Sequence, residues 1–293
     1  MLKFKRTPVS DFIRIEEFVS VFSRKLQDIS APDFCTDGEA HDFWEFLHLE
    51  SGELNILVDG RLFCLQPGDL IIYAPYSFHI TSVSSKAVVN ICAFSASSSV
   101  LPQFANAVIP LSDTHMSSLY KIMELGRATF SLPKDISDER GMCLRNESSD
   151  FSLQKLANLT ALFLIGLFEE KLSGKLPEHT TNKSNLNKEF SALTTFLQNN
   201  MHRPLTTEEI CSELLLSPSQ LGKLCRDVCG CGPIDYLISL KIGLAKRLIH
   251  ESALNLTQIS ERLGFSSVHY FSRLFKSKTG ISPSDYKKAH TSR

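Results

Sequence analysis

The chain has 293 residues, 43% of them hydrophobic and 22% charged, with a formal net charge of −1. That length supports two domains with cores of their own, and the balance is that of a soluble globular protein, which excludes disordered and fibrous classes. No apolar run reaches the roughly eighteen residues of a membrane span, and no apolar stretch of a secretory signal follows Met1-Leu2-Lys3-Phe4-Lys5-Arg6, so a cytoplasmic protein with no membrane partner is expected.

From about Phe34 to Phe94 apolar residues alternate over short runs, Phe43-Trp44-Glu45-Phe46-Leu47-His48-Leu49 and then Leu54-Asn55-Ile56-Leu57-Val58. Asp59-Gly60 separates the second run from Arg61-Leu62-Phe63-Cys64-Leu65, a strong hairpin signal. Gly52, Pro67-Gly68-Asp69 and Pro75 punctuate further strands. The pattern predicts an antiparallel barrel or sandwich over residues 1–110.

From Ser112 to about Lys171 the period changes to three and four. Met116, Leu119, Ile122, Met123 and Phe130 form one set; Leu153, Leu156, Leu159, Leu162, Phe163, Leu167 and Leu172 form another. Two helices are expected over 112–132 and 151–171, within a region bounded as 111–175. Their apolar faces exceed what a monomer surface carries, so pairing in a homodimer, as a coiled-coil-like seam, is expected. The segment 176–187 is polar and reads as an interdomain linker.

A helical domain fills residues 188–293. It holds 14 Lys+Arg against 9 Asp+Glu, net +5, while the rest of the chain holds 17 against 23, net −6. A basic domain on an acidic body is the asymmetry expected when one part meets phosphate. Within it one helical unit occurs twice. Ser217, Leu221, Leu224, Gly230, Pro233, Asp235 and Tyr236 recur fifty positions on as Ser267, Phe271, Leu274, Gly280, Pro283, Asp285 and Tyr286. Each unit reads as a short helix, a tight turn and a second helix. Thr206 or Thr207 caps the first helix of unit one, and Ser217-Pro218 starts its second. In unit two Thr257 starts a helix to Leu263, Gly264 ends it, and Ser266 or Ser267 caps the next. A helix from Pro233 to about His250 joins the units.

On the second helix of each unit an apolar face is opposed by a polar one, Ser219, Gly222, Lys223 and Arg226 in unit one and His269, Arg273 and Lys276 in unit two. Arg273 can donate a bidentate pair to guanine, His269 can donate to or accept from base edges, and Lys276 suits a phosphate. Gly222 offers no side chain, so unit one is expected to discriminate sequence less than unit two.

The run Leu263-Gly264-Phe265-Ser266-Ser267-Val268-His269-Tyr270-Phe271-Ser272-Arg273-Leu274-Phe275-Lys276, followed by Gly280-Ile281-Ser282-Pro283 and Tyr286, resembles the signature of the AraC/XylS transcription regulators. The resemblance covers about the last hundred residues. It implies two helix-turn-helix motifs joined by a long helix that bind adjacent major-groove segments of double-stranded DNA, with RNA polymerase as a further candidate partner. Val268, His269, Tyr270 and Arg273 sit where the family contacts bases in unit two, and Pro218, Ser219, Gly222 and Lys223 do so in unit one. Ser217, Ser267, Arg226 and Lys276 are the expected phosphate contacts. The chain departs from the family at Gly222 and at Cys225, where Phe is usual.

Glu39-Ala40-His41, Glu45, Gly52, Gly68-Asp69, Pro75 and His79 resemble the cupin pattern, a barrel that many of these regulators carry in front of their DNA-binding domain. The resemblance implies a metal-free effector pocket formed by Glu39, His41, Trp44, Glu45, Tyr73 and His79, with a carbohydrate or related polar metabolite as the expected ligand. Alternation sends Phe43 and Trp44 to opposite faces, so at most one of the pair lines it. The fold class is therefore α+β multidomain: a cupin-like β-barrel with two dimerisation helices, then an all-α domain of two helix-turn-helix motifs. No catalysis, cofactor or metal is expected. Two rival readings stay open, a cupin metalloenzyme in which His41, Glu45 and His79 hold iron or manganese, and a constitutive DNA-binding protein whose barrel serves only dimerisation. His48 and His115 read as structural. The eight cysteines read as reduced buried thiols, Cys225, Cys229 and Cys231 included.

Overall fold

The computed structural model describes residues 12–26, 38–58, 61–83, 86–131, 142–145, 150–175 and 185–291. Strands β1 (Ile13–Leu26), β2 (Trp44–Ser51), β3 (Leu54–Val58), β4 (Arg61–Leu65), β5 (Asp69–Tyr73), β6 (His79–Val83), β7 (Ala87–Ser98) and β8 (Ala107–Pro110) come first. They are followed by α1 (Asp113–Thr129), β9 (Phe130–Ser131), β10 (Cys143–Leu144) and α2 (Asp150–Leu172). Seven further helices complete the described chain: α3 (Asn185–Asn200), α4 (Thr207–Leu214), α5 (Pro218–Cys229), α6 (Pro233–Glu251), α7 (Leu256–Arg262), α8 (Val268–Thr279) and α9 (Pro283–Thr291).

One antiparallel sheet has the strand order β1-β7-β2-β5-β8, and β4-β3-β6 form a second. Alternation along β2 decides what lies on each side of the first sheet. Leu47 and Leu49 face the second sheet across a core with Ile56, Val58, Leu65, Ile71 and Tyr73. Trp44 and Phe46 face the other way, with Leu70, Ile72 and Phe94, onto α1 and α2. Val58 pairs with Arg61 across the expected hairpin, whose Asp59-Gly60 turn lies outside the described residues, as do Met1–Arg6, Cys35 and most of the linker.

The expected barrel is not closed. No strand ladder joins the three-stranded sheet to the five-stranded one among the described residues, and the architecture is a two-sheet sandwich. The β4 edge, which closure would need, lies instead beside α3, where Leu62 joins a helical core.

The two expected helices appear as α1 and α2, but their apolar faces are used within the chain. Leu119, Ile122, Met123, Leu156, Phe163, Leu164 and Leu167 are buried against the sheet. At about 25 cal/mol per Å² such burial stabilises the sandwich itself, and little of it is left for a seam between copies. Phe151, Leu162 and Leu172 remain exposed. By length and apolar composition α2 could cross a bilayer, yet the inward third of it is core. His115 ties the two helices: its Nδ1 lies 2.9 Å from Ser112 Oγ and 3.5 Å from Glu170 of α2, and its ring meets Phe163 edge-on.

The C-terminal helices divide between two cores. Phe190, Leu193, Ile210, Leu221, Leu224, Cys225 and Tyr236 bring α3, α4, α5 and the start of α6 together with Ala40, Leu57, Phe78 and Ile80 of the sandwich. Ile242, Ala245 and Ile249 of α6 join Ile259, Leu263, Phe271, Phe275 and Tyr286 in the other. At 19 residues α6 is roughly 28 Å long and spans both.

Candidate DNA-reading helices and a buried histidine–carboxylate cluster

Capping fixes where each reading helix begins. Ser217 and Gln220 form a reciprocal capping box at α5, with Pro218 at the first position. Ser267 Oγ accepts from the Tyr270 backbone N–H, 3.1 Å away, at α8. Both hydroxyls nominated for phosphate thus serve caps, at helix ends whose free N–H groups favour an anion. The first helix of unit two starts earlier than Thr257: Asn255 caps α7 in a box with Gln258.

On α8 the buried Phe271 and Phe275 set the inward face, and His269, Tyr270, Arg273 and Lys276 stand exposed on the other. The Arg273 guanidinium lies 5.5 Å from the centre of the Tyr270 ring, a cation–π contact that holds a long side chain ready. Val268 is half-buried against the core. On α5, Pro218, Ser219, Lys223 and Arg226 are exposed. Gly222 shares that face by helical spacing but is covered. It is buried, and a Cβ there would stand 3.3 Å from Arg226 Nη1, so the missing side chain makes room for the arginine to fold back.

Spacing between the units rests on main chain. Gly264 has φ +62°, and a Cβ there would come within 2.6 Å of the His202 and Arg203 backbone at the end of α3. Lys241 of α6 is buried between the same segments, donating to Arg203 O at 3.2 Å and Gly264 O at 3.5 Å. Burial pushes its ammonium down to about 8.

Within the sandwich Glu39 and His79 exchange backbone hydrogen bonds of 2.9 Å, which brings the 39–41 segment beside β6. Glu45 follows on β2. His79 Nε2 lies 3.4 Å from Glu39 Oε1, and His41 Nε2 lies 3.6 Å from Glu45 Oε2. The rings are clamped: His41 stacks on Phe43 at 3.9 Å, and His79 on Tyr73 at 4.0 Å. His41 Nδ1 donates to Phe43 O at 2.9 Å and His79 Nδ1 to Ser77 O at 3.1 Å. A cavity of about 300 Å³ opens onto Glu39, His41, Phe43, Glu45 and His79, with Arg24 and Thr81 on its wall.

Burial, together with the neighbouring His79, pushes His41 down to about 3, and burial with the Glu39 charge pushes Glu45 up to about 8. For the Glu39–His79 pair burial opposes both charges, but the mutual hydrogen bond and attraction win, lowering Glu39 and raising His79.

The structure therefore gathers Glu39, His41, Glu45, Tyr73 and His79 from the expected pocket and leaves Trp44 out. Trp44 points to α1 and α2, and Phe43 takes the pocket side. Sequence reasoning missed Arg24 and Phe78. The Phe78 ring sits between the cluster's strand and α6, where a Cβ on Gly243 would stand 3.2 Å from it, and Lys246 Nζ donates to Ala40 O at 2.8 Å. His48 belongs to a separate network: Asn90 Nδ2 is 3.1 Å from both His48 Nδ1 and Glu50 Oε2, and Ser23 Oγ donates to Asn90 Oδ1 at 2.6 Å. The seven cysteines among the described residues are free thiols, with Cys231 Sγ 3.7 Å from Cys229 Sγ.

A family described as a helix-turn-helix domain matches residues 210–289, both units and the joining helix. The probable transcriptional regulator LumQ of Photobacterium leiognathi is 24% identical over 84% of this chain and 90% of its own. The transcriptional activator RhaR of Cronobacter sakazakii is 32% identical over 30% of this chain and 31% of its own. Residues 210–289 are thus similar to the helix-turn-helix domain of transcription regulators of the AraC type. An AraC-type regulator structure from Chromobacterium violaceum is 24% identical over 36% of this chain and 94% of its own, with a TM-score of 0.34. Beyond LumQ, the next relatives are matched over about a quarter to two fifths of their own length, so the similarity to them is carried by the DNA-binding domain.

Proposed function

We propose that this chain is a sequence-specific regulator of the AraC/XylS type that binds double-stranded DNA through α5 and α8 and is controlled by a small polar effector in the sandwich cavity. The observation that carries the reading is the exposed Tyr270–Arg273–Lys276 face on a capped helix, repeated in register on a domain of net charge +5. Val268, His269, Tyr270 and Arg273 read bases in unit two, with Ser219 and Lys223 the poorer readers in unit one. Arg226 and Lys276, and the helix ends at Ser217 and Ser267, meet phosphate.

Control follows from contact. Phe78 and the Lys246–Ala40 bond join the cavity's strand segment to the helix that carries both reading units. An effector with different affinity for the joined and parted arrangements would shift DNA binding by that difference. Carboxylates, Arg24 and a Phe43 face around a space of about 300 Å³ suit a carbohydrate-sized, oxygen-rich molecule. Leu162 and Leu172, exposed on α2, are the surface available to a homodimer. The test is DNA binding by the purified full chain across a salt series: the log–log slope should correspond to several phosphates at about −0.9 each. A chain with no DNA affinity at low salt removes the proposal.

A further inference from the structure

Two sulfur atoms meet at the corner between the first reading helix and the helix that joins the units. Cys229 is the last residue of α5, Gly230 caps it in the left-handed region at φ +70°, and Cys231 precedes Gly232 and Pro233, where α6 begins. Cys231 Sγ lies 3.7 Å from Cys229 Sγ, and the Cys229 thiol donates to Cys225 O at 3.0 Å. Cys211 and Cys225 fill the surrounding core as small apolar side chains. Cys231 only borders that core: it is half-buried, next to the exposed Gly230, while Cys229 is buried. An oxidant from solvent therefore reaches the pair at Cys231.

We infer that Cys229 and Cys231 form a reversible oxidation site, which a hydroperoxide converts to a disulfide that resets how α5 meets α6. The Cys231 thiolate attacks the hydroperoxide. A sulfur–oxygen bond forms, the O–O bond breaks, and an alcohol, or water from hydrogen peroxide, leaves with the Cys231 proton. The Cys229 sulfur then attacks the sulfenic acid on Cys231. The S–S bond forms, the S–O bond breaks, and hydroxide departs as water with the Cys229 proton. Two thiols lose two electrons and the peroxide gains them. Hydrogen bonding with Cys225, and burial, push the Cys229 thiol up to about 12, so it stays protonated while Cys231 is oxidised.

A disulfide holds its sulfurs about 2.05 Å apart, so the two atoms must approach by about 1.7 Å. That approach draws Cys231 inward or turns Cys229 away from Cys225 O. With one residue between the cysteines, either movement falls on the Gly230 turn. The chain bends by 50° from α5 to α6 across this turn, and α6 leads to the second unit. A bond closed over so short a turn is strained, and strained disulfides are the ones that thiols reopen. The effect on DNA rests on the regulator reading; the bond itself does not.

The test uses the full chain, reduced with dithiothreitol, freed of it and exposed to hydrogen peroxide in modest excess. Far-UV circular dichroism checks that it stays folded. Alkylation of the remaining thiols and cleavage after Arg226 and Lys241 isolate residues 227–241, which hold Cys229 and Cys231 but not Cys225. That peptide is expected unalkylated and lighter by two hydrogens, and fully alkylated again after dithiothreitol. Affinity for a labelled DNA duplex at low salt should fall at least about threefold with the bond and recover on reduction. Cys231→Ser should abolish both changes, whereas Cys143→Ser, at an exposed cysteine of β10, keeps them. Should Cys231→Ser fail to fold, Cys229→Ala is the substitute. No disulfide in the folded wild type, a disulfide to Cys225 instead, or oxidation that dithiothreitol does not reverse overturns the site. A disulfide that leaves duplex binding unchanged overturns the switch. A chain that forms the disulfide but binds no duplex even when reduced overturns the regulator reading alone.

Discussion

Phe78 of the sandwich lies against Gly243 of the long helix, so closely that a single added carbon on the glycine would stand 3.2 Å from the ring. Glycine in mid-helix normally costs about 1 kcal/mol relative to a good helix former. Here it is the condition for an aromatic side chain of another domain to reach the helix.

That relationship predicts a reversal of sign. In a fragment of residues 188–293, where Phe78 is missing, Gly243→Leu should raise stability by up to about 1 kcal/mol through helix propensity alone. In the full chain the same change overpacks the Phe78 contact and should cost about 1–3 kcal/mol. Urea unfolding of both proteins measures it; the same sign in both would show that Phe78 does not rest on Gly243 in solution.

Arg273→Ala should cost about 1–3 kcal/mol on a cognate site and relax preference at one base pair, as loss of a bidentate guanine contact does. Ser219→Ala should cost much less, since its neighbour Gly222 is buried and unit one presents a shorter polar face. Competition against single-base operator variants reads both. Equal losses would reverse the ranking of the two helices.

Two glycines with positive φ should separate cleanly. Gly280 has φ +80° and nothing within 4 Å of an added Cβ, so Gly280→Ala should cost about 1 kcal/mol from backbone strain. Gly264→Ala adds a collision with the His202 and Arg203 backbone and should cost clearly more, about 3 kcal/mol or above. Thermal denaturation of the two variants side by side checks the order.

His48 gives a pH window. Its burial pushes the imidazole down to about 4, although the Glu50 and Asp69 charges work the other way. A lowered folded value means that the neutral form is the stabilising one. Its contribution is complete above the unfolded value near 6.5 and is lost as the pH falls from there towards 4, up to about 3 kcal/mol. Wild type and His48→Gln compared by urea titration at pH 7 and pH 4.5 should converge at the lower pH. A constant gap would place the pH sensitivity elsewhere.

Much of the C-terminal domain is legible in the sequence because its signals are local. Ser217 and Gln220, or Gly264 and Gly280, fix helix ends through contacts within a few residues, and their repetition fixes the pairing of the units. The α7 start is ambiguous in the sequence because Thr257 and Asn255 are both capable caps, and only the Asn255–Gln258 box separates them. Side-chain direction on β2 was readable only as an alternative: period two puts Phe43 and Trp44 on opposite faces, but which face holds the cavity depends on α1 and α2 covering the other. Gly222 looked outward by helical spacing and is buried because Arg226 bends over it. The Phe78 contact has no sequence signal, since an aromatic residue at a strand's edge reads the same whether it meets solvent, core or another domain.

The Gly264 turn resting on the His202–Arg203 backbone, with Lys241 bonded to the carbonyls of both segments, has a consequence for how such a protein diversifies. On the proposed reading, the stride between the two units on the double helix is held by backbone contacts and by Lys241, while the bases each unit reads are chosen by exposed side chains such as His269, Arg273 and Lys223. Substitution can therefore rewrite what is recognised without altering the step, so descendants of this chain would be expected to differ in operator sequence and to agree in operator length.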